Sequence, residues 1–305
     1  MSLMDEKKDI NRIFIEKITQ HLYRYYWQEL GLRDWESRVQ NRINEVPRDE
    51  QILKTIASFT GSLRVKKVLV VGSGWGGACV AARNLGAGEV IGLDTDDEAN
   101  EIANLRMRLA GYGECCRQGS AENMPFRDNY FDYVHCFTVL EHVSDVPKAL
   151  SEMIRVTKKG GFVFIQGPSY LRPVERHYKI PYMPLMPRAM ARIYLRLLKR
   201  PPSFIDTINY IWPAKVKRLL SNMGNIEVEQ IADEYRVKFA QLGSSRDDDY
   251  ALPMASVSDK ANAARRFGGK VINKLLAIFY KAWDLLFGTK EIYFLIRKRR
   301  DEEKA

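Results

Sequence analysis

The chain has 305 residues, 46% hydrophobic and 28% charged, the balance of an ordinary globular protein and not of a disordered or collagen-like one, with length for one large core or two modest ones. Its formal net charge of +10 points toward an anionic partner: a membrane surface, a phosphorylated substrate or a nucleic acid. The cysteines Cys79, Cys115, Cys116 and Cys136 lack C-x-x-C spacing and a matching histidine set, so neither zinc nor a disulfide framework is expected, and a reducing, cytoplasmic setting fits.

In chain order, the charged stretch Asp5, Glu6, Lys7, Lys8, Asp9 has no apolar run behind it, so no secretory signal is expected. Residues 1–60 read as an N-terminal helical cap, because Ile13, Ile15, Ile18 and Leu22 keep helical spacing before a charged segment from Arg33 to Asp49. From Val65 the pattern changes to short apolar runs at Val68–Val71, Val90–Leu93, Cys115–Gln118, Tyr133–Phe137 and Phe162–Ile165. Helices are predicted between them at Gly77–Leu85, Glu98–Ala110 and Val146–Thr157. This alternation predicts an α/β, doubly wound parallel sheet over a core domain at 61–167.

A basic, proline-marked insert at 168–211 interrupts the rhythm, with a helix predicted at Arg188–Lys199. The remainder, 212–305, resumes with a helix at Ala214–Met223 and strands at Ile226–Ile231 and Ile292–Ile296. A long connection separates those strands and carries the acidic triplet Asp247–Asp249 and an amphipathic helix at Lys270–Leu286. That helix is interrupted by Lys274, Lys281 and Asp284, so it does not supply the roughly 20 apolar residues of a membrane span.

Val68-Leu69-Val70-Val71-Gly72-Ser73-Gly74-Trp75-Gly76-Gly77 sets a glycine-rich turn between a buried strand and a helix, a place where backbone approaches a ligand and helix N–H groups are unpaired. Gly72, Gly74 and Gly77 also satisfy G-x-G-x-x-G, so the loop alone does not separate a dinucleotide enzyme from other nucleotide-cofactor proteins. Asp94 closes the second strand, where a carboxylate accepts ribose hydroxyls at the switch point of such sheets.

The later segments Gly119-Ser120-Ala121-Glu122-Asn123-Met124-Pro125-Phe126, Asn129-Tyr130-Phe131-Asp132-Tyr133-Val134, Val139-Leu140-Glu141-His142-Val143 and Arg155-Val156-Thr157-Lys158-Lys159-Gly160-Gly161 resemble successive motifs of the class I S-adenosylmethionine-dependent methyltransferases. The resemblance spans residues 65 to 167 and implies a seven-stranded Rossmann-like sheet with S-adenosylmethionine as cofactor. It implies that Gly72, Ser73, Gly74 and Gly76 line the methionine end, that Asp94 and Thr95 meet the ribose, and that Ala121 and Glu122 border the adenine. Phe137 and Thr138 then form the floor under the sulfonium. Ser120 departs from the family, which often has an aspartate there for the adenine amino group.

Methyl transfer to a hydroxyl needs alignment and removal of a proton, a task suited to histidine. Of the four histidines, His135 sits within a strand and reads as core or crevice filler. His142 follows the fourth strand, and His177 follows the fifth in Glu175-Arg176-His177-Tyr178-Lys179-Ile180-Pro181-Tyr182; these two are the catalytic candidates, with Tyr178 and Tyr182 as pocket walls. No metal site is expected beyond a metal-assisted variant through Glu141. The Asn-Pro-Pro-Tyr and Asp-Pro-Pro-Tyr motifs of amino-methylating nucleic-acid enzymes are absent, which favours an oxygen acceptor.

Between Arg172 and Arg200 eight basic residues face one acidic residue, Glu175. Arg188, Arg192 and Arg196 recur every four positions, with Ile193, Leu197 and Leu198 toward another side. A helix of this kind suits an anionic bilayer surface or a solvated face over a core. The expectation is a cytoplasmic, peripherally membrane-associated methyltransferase of a membrane-associated acceptor, such as a lipid-linked saccharide or a prenylated quinone. The alternatives are a soluble small-molecule acceptor with the basic helices as a lid, and a nonenzymatic cofactor-binding membrane scaffold; a nucleic-acid partner is disfavoured for want of an RNA-binding module.

Overall fold

The computed structural model describes residues 3–242, Trp283 and residues 291–301. The expected acidic triplet at Asp247–Asp249 and, apart from Trp283, the expected helix at 270–286 lie outside the described residues.

The core is a seven-stranded sheet of β1 (Lys67–Val71), β2 (Glu89–Asp94), β3 (Cys116–Gln118), β4 (Phe131–Phe137), β5 (Thr157–Gly167), β8 (Ile226–Gln230) and β9 (Ile292–Lys298). Its order is β3-β2-β1-β4-β5-β9-β8. The first five strands pair in parallel, while β9 runs antiparallel to both β5 and β8. The order reverses between β1 and β4, which opens a crevice at the C-terminal ends of those strands.

The strands read as continuous apolar runs because both faces are buried. Along β1, Leu69 and Val71 belong to one cluster with Ile18 and Leu22 of α1 (Leu3–Tyr23) and Leu150 and Met153 of α6 (Val146–Val156). Val68 and Val70 belong to the other, with Leu53 and Ile56 of α3 (Val46–Thr60) and Cys79 and Val80 of α4 (Gly77–Asn84). Helix starts follow their sequence signals: Asp96 accepts from Ala99 N at 3.1 Å to cap α5 (Asp97–Leu109), and Asp145 accepts from Lys148 N at 3.0 Å to cap α6, whose first turn holds a proline.

The cap consists of α1, a π-helical turn at Arg24–Glu29, α2 (Trp35–Ile43) and α3. Arg106 of α5 ties it to the sheet. Its guanidinium donates to the carbonyls of Trp75 at 2.6 Å, Ile43 at 2.9 Å and Arg42 at 2.8 Å. Around it Arg42, Glu45, Arg48 and Asp49 are buried together.

The insert carries a small antiparallel hairpin, β6 (Val174–Glu175) and β7 (Ile180–Pro181), and α7 (Arg188–Leu197). Its root is held by Glu291, which accepts from Ser169 N at 2.9 Å and Arg172 Nη1 at 3.0 Å and pairs with Arg176 at 2.9 Å. Burial alone would raise Glu291, yet Arg176 and Arg172 outweigh it and hold the carboxyl below its ordinary range.

Two expectations change here. Arg188 turns inward, donating to the Ile208 carbonyl and lying 4.1 Å from the Tyr210 ring centroid, and Arg192 pairs with Asp206 at 3.1 Å. The outer face of α7 is therefore less a free basic stripe than an apolar one, with Met190 52%, Ile193 57% and Leu197 77% exposed. After α8 (Pro213–Ser221) and β8 the chain forms α9 (Ala232–Leu242), a helix hidden from sequence reading because it buries only Ala232 and Tyr235.

Candidate active site

A cavity of about 820 Å³ opens along the C-terminal ends of β1, β2 and β4, a size and position usual for a small-molecule site. In its first half, the loop after β1 supplies Gly72, Ser73 and Gly74, with Gly76 capping α4 in the left-handed region at φ 85°. Gly72 is at φ +66°, and a Cβ there would stand 2.2 Å from Val139 Cγ2, so only glycine lets the loop lie against the end of β4. At Gly77 the constraint is close packing alone, since its Cβ would meet Asp49 Oδ2 at 2.3 Å and Glu45 Cγ at 2.5 Å.

Asp94 accepts from Gly74 N at 2.9 Å and Asp96 N at 3.0 Å. Burial raises its carboxyl above the ordinary aspartate range despite these two donors. Thr95 follows it along the wall, and Ala121 and Glu122 line the cavity opposite, Glu122 Oε1 accepting from Ser144 N at 2.7 Å. Ser120 Oγ accepts from Glu122 N at 3.1 Å and so shapes the turn there. Phe137 and Thr138 line the cavity at the end of β4, Thr138 at φ 55°. All ten residues expected to meet the cofactor thus come to one region: nine line the cavity, and Gly76 fixes the turn into α4.

The other half is walled by the end of β4 and the insert. His142 and His177 face each other with ring centroids 5.2 Å apart, and Phe204 packs against both at 5.8 and 5.0 Å. His177 Nδ1 is 2.9 Å from Glu175 Oε1, while Glu175 Oε2 accepts from Tyr178 N at 2.6 Å. His142 is accessible from the cavity yet surrounded by its walls, and that enclosure, with His177 beside it, holds its ring below the usual histidine range, near 3.

Beside them Glu141 is wholly buried, with neither carboxylate oxygen hydrogen-bonded. Burial pushes it up to about 7. Donor atoms of Glu141, His142 and His177 lie within 4.8 Å of one another, a nitrogen and oxygen set that sequence reading did not assemble because α6 and β5 separate Glu141 and His142 from His177 in the insert.

His135 fulfils the filler role. It is buried, its Nδ1 3.0 Å from Tyr133 Oη and its ring stacked on Phe137 and Phe164. Tyr178 and Tyr182, expected as pocket walls, are instead packed in the core, their hydroxyls engaged with the Pro201 carbonyl at 2.7 Å and Tyr210 Oη at 2.6 Å. The turn between β6 and β7 brings Arg176, His177 and Lys179 to the cavity, while the tyrosines pack inward.

Sequence reading also missed the cap's contribution. His21, Tyr25, Tyr26 and Arg42 all line the cavity, brought there by α1 packing on α5 through Lys17–Glu101 at 2.6 Å and Arg24–Glu98. Nothing in the local pattern signals such a contact.

Residues 69–165 match the family model described as a methyltransferase domain, which bears out the resemblance read from the motifs over that stretch. A demethylmenaquinone methyltransferase of Symbiobacterium thermophilum is 26% identical over 154 residues, covering 47% of this chain and 60% of the relative. A ubiquinone biosynthesis O-methyltransferase of Nitrosomonas europaea is 34% identical over 113 residues, covering 37% of this chain and 48% of the relative. The chain therefore spans about half the length of the curated relatives it matches. A solved Galdieria sulphuraria chain, assigned as a sarcosine dimethylglycine methyltransferase, superimposes with a TM-score of 0.50 at 16% identity over 92% of this chain and 98% of that one; the two share the fold.

Proposed function

We propose that this chain, whose residues 69–165 are a methyltransferase domain, transfers a methyl group from S-adenosylmethionine to a hydroxyl oxygen of an acceptor held at a membrane surface, a prenylated quinone or a lipid-linked saccharide. The cofactor half of this reading rests on one observation: the glycine loop and Asp94 are hydrogen-bonded to each other, Gly74 N to Asp94 Oδ2 at 2.9 Å, at the switch point of the sheet. A carboxylate has about four acceptor sites, so Asp94 keeps capacity for two ribose hydroxyls after serving Gly74 and Asp96. Gly72, Ser73, Gly74 and Gly76 would receive the methionine end, Thr95 the ribose edge, Ala121 and Glu122 the adenine, and Phe137 and Thr138 the region of the sulfur. Bound there, S-adenosylmethionine supplies an electrophilic methyl group on a sulfonium.

The acceptor half needs a base and a wall. Glu175 Oε1, 2.9 Å from His177 Nδ1, orients the ring so that in its neutral form Nε2 is the nitrogen left to take a hydroxyl proton. His142 faces it with a ring kept neutral by its surroundings and serves as second candidate. The quinone version draws support from the menaquinone and ubiquinone relatives. The membrane version draws it from the exposed apolar face of α7 beside Arg196 and Lys199; among the described residues no helix is long and apolar enough to cross a bilayer.

The test is calorimetric titration with S-adenosylmethionine and, separately, with NAD, followed by transfer of labelled methyl into prenylated quinol, lipid-linked saccharide and soluble phenol acceptors. Saturable S-adenosylmethionine binding, weakened about 10- to 100-fold in Asp94→Ala by loss of charge-assisted hydrogen bonds, supports the cofactor assignment. Binding of NAD alone overturns it. Transfer only into soluble phenols overturns the membrane acceptor, and cofactor binding with no transfer favours a scaffold.

A further inference from the structure

Three of the four cysteines, which show no ligand spacing in the sequence, converge in the fold. Cys79 lies on α4, Cys116 opens β3 and Cys115 precedes it, and Cys116 Sγ is 3.8 Å from both Cys79 Sγ and Cys115 Sγ. All three sulfurs lie within 4.8 Å of one another. None forms a disulfide.

Gly92, the β2 partner of Cys116, makes the room. A Cβ there would meet Cys116 Sγ at 2.7 Å and Ser73 Oγ at 2.8 Å. Ser73 is 6% exposed and its hydroxyl is turned to this same space. The site therefore abuts the glycine loop through Ser73.

We propose that Cys79, Cys115 and Cys116 form a three-thiolate site for a soft metal ion of the Cu(I) class. An ion in the plane of three thiolates at about 2.3 Å from each sulfur, the length of a zinc–thiolate bond, needs sulfurs about 4.0 Å apart; the separations here are close to that before any relaxation. Thiolates without imidazole or carboxylate select soft ions, and the described group contains only cysteines. Three ligands suit Cu(I) better than zinc, whose structural sites are closed by four.

Binding must displace thiol protons to solvent. Cys115 is half-buried while Cys79 and Cys116 are buried, which leaves one sulfur on the entry side.

The experiment is a titration of the reduced full chain with Cu(I) under anaerobic conditions, in competition with a colorimetric Cu(I) chelator. The expected result is one retained equivalent, weakened at least 100-fold in Cys79→Ala and in Cys115→Ser and unchanged in Cys136→Ala, with X-ray absorption reporting sulfur-only ligation. If Cys79→Ala fails to fold, the half-buried, near-isosteric Cys115→Ser decides. No retention by the unmodified chain, or retention that survives Cys115→Ser, overturns the site. Neither readout involves methyl transfer, so the outcome is independent of the proposed activity.

Discussion

Both oxygens of Glu175 are engaged, one by His177 Nδ1 and one by the Tyr178 backbone, and the side chain is fully buried. A carboxylate held this way fixes both the tautomer and the tilt of the ring. Replacing His177 with Ala should lower kcat by about 10²- to 10⁴-fold with cofactor affinity unchanged, and Glu175→Gln should fall between that variant and the parent. Titrations of cofactor binding beside steady-state kinetics would check this; full activity in His177→Ala would remove it as the base. His135 predicts a different pH effect. Burial lowers its ring from the ordinary 6.5 to about 4, so the unfolded chain binds the proton more readily between those values. Folding stability should therefore be complete above pH 6.5 and be lost as pH falls through the window to 4, by up to about 3 kcal/mol. Between pH 7 and pH 5, denaturant unfolding should show a loss about 2 kcal/mol larger in the parent than in His135→Leu; equal losses would sink the assignment.

Among the elements, the buried polar join between the cap and the α/β core centres on Arg106, whose guanidinium meets three carbonyls and Glu45. Arg106→Ala would leave Glu45 buried with one partner fewer and three carbonyls without a donor. A loss of about 3–5 kcal/mol is expected, as for other broken buried pairs; a change under 1 kcal/mol in chemical denaturation would mean that the cap is held elsewhere. This junction also marks where sequence reading stops. Strands β1, β2, β4 and β5 were legible because burial on both faces writes an unbroken apolar run, and Gly72, Gly74 and Asp94 because the turn chemistry is local. The Glu175–His177 pair had a signal, a carboxylate two residues before a histidine, which points to an orienting partner. Tyr26 and Arg42 had none, since they reach the cavity by packing across the domain. Neither did the two-residue strands β6 and β7 or the inward turn of Arg188, which depend on Tyr210 and Ile208 being where they are.

At the scale of the whole molecule, the cap and the insert both wall the cavity, and on the proposed reading an apolar acceptor would approach along the insert. There α7 buries Ala191 and Leu195 inward and turns Met190, Ile193 and Leu197 outward, an i, i+3, i+7 stripe with no described element over it. A net charge of +10 would draw such a face toward anionic lipid, while the apolar side chains would set the depth of contact. Each fully buried Ile or Leu contributes about 1.5–3 kcal/mol, so Ile193→Glu with Leu197→Glu should weaken binding to anionic vesicles by at least about 100-fold. Raising salt alone should weaken it less, because the apolar term is unscreened. Co-sedimentation with vesicles would check both effects, with calorimetric cofactor binding as the control for folding. Unchanged sedimentation in the double variant would show that the stripe does not touch lipid, and the insert would then act as a lid over a soluble acceptor.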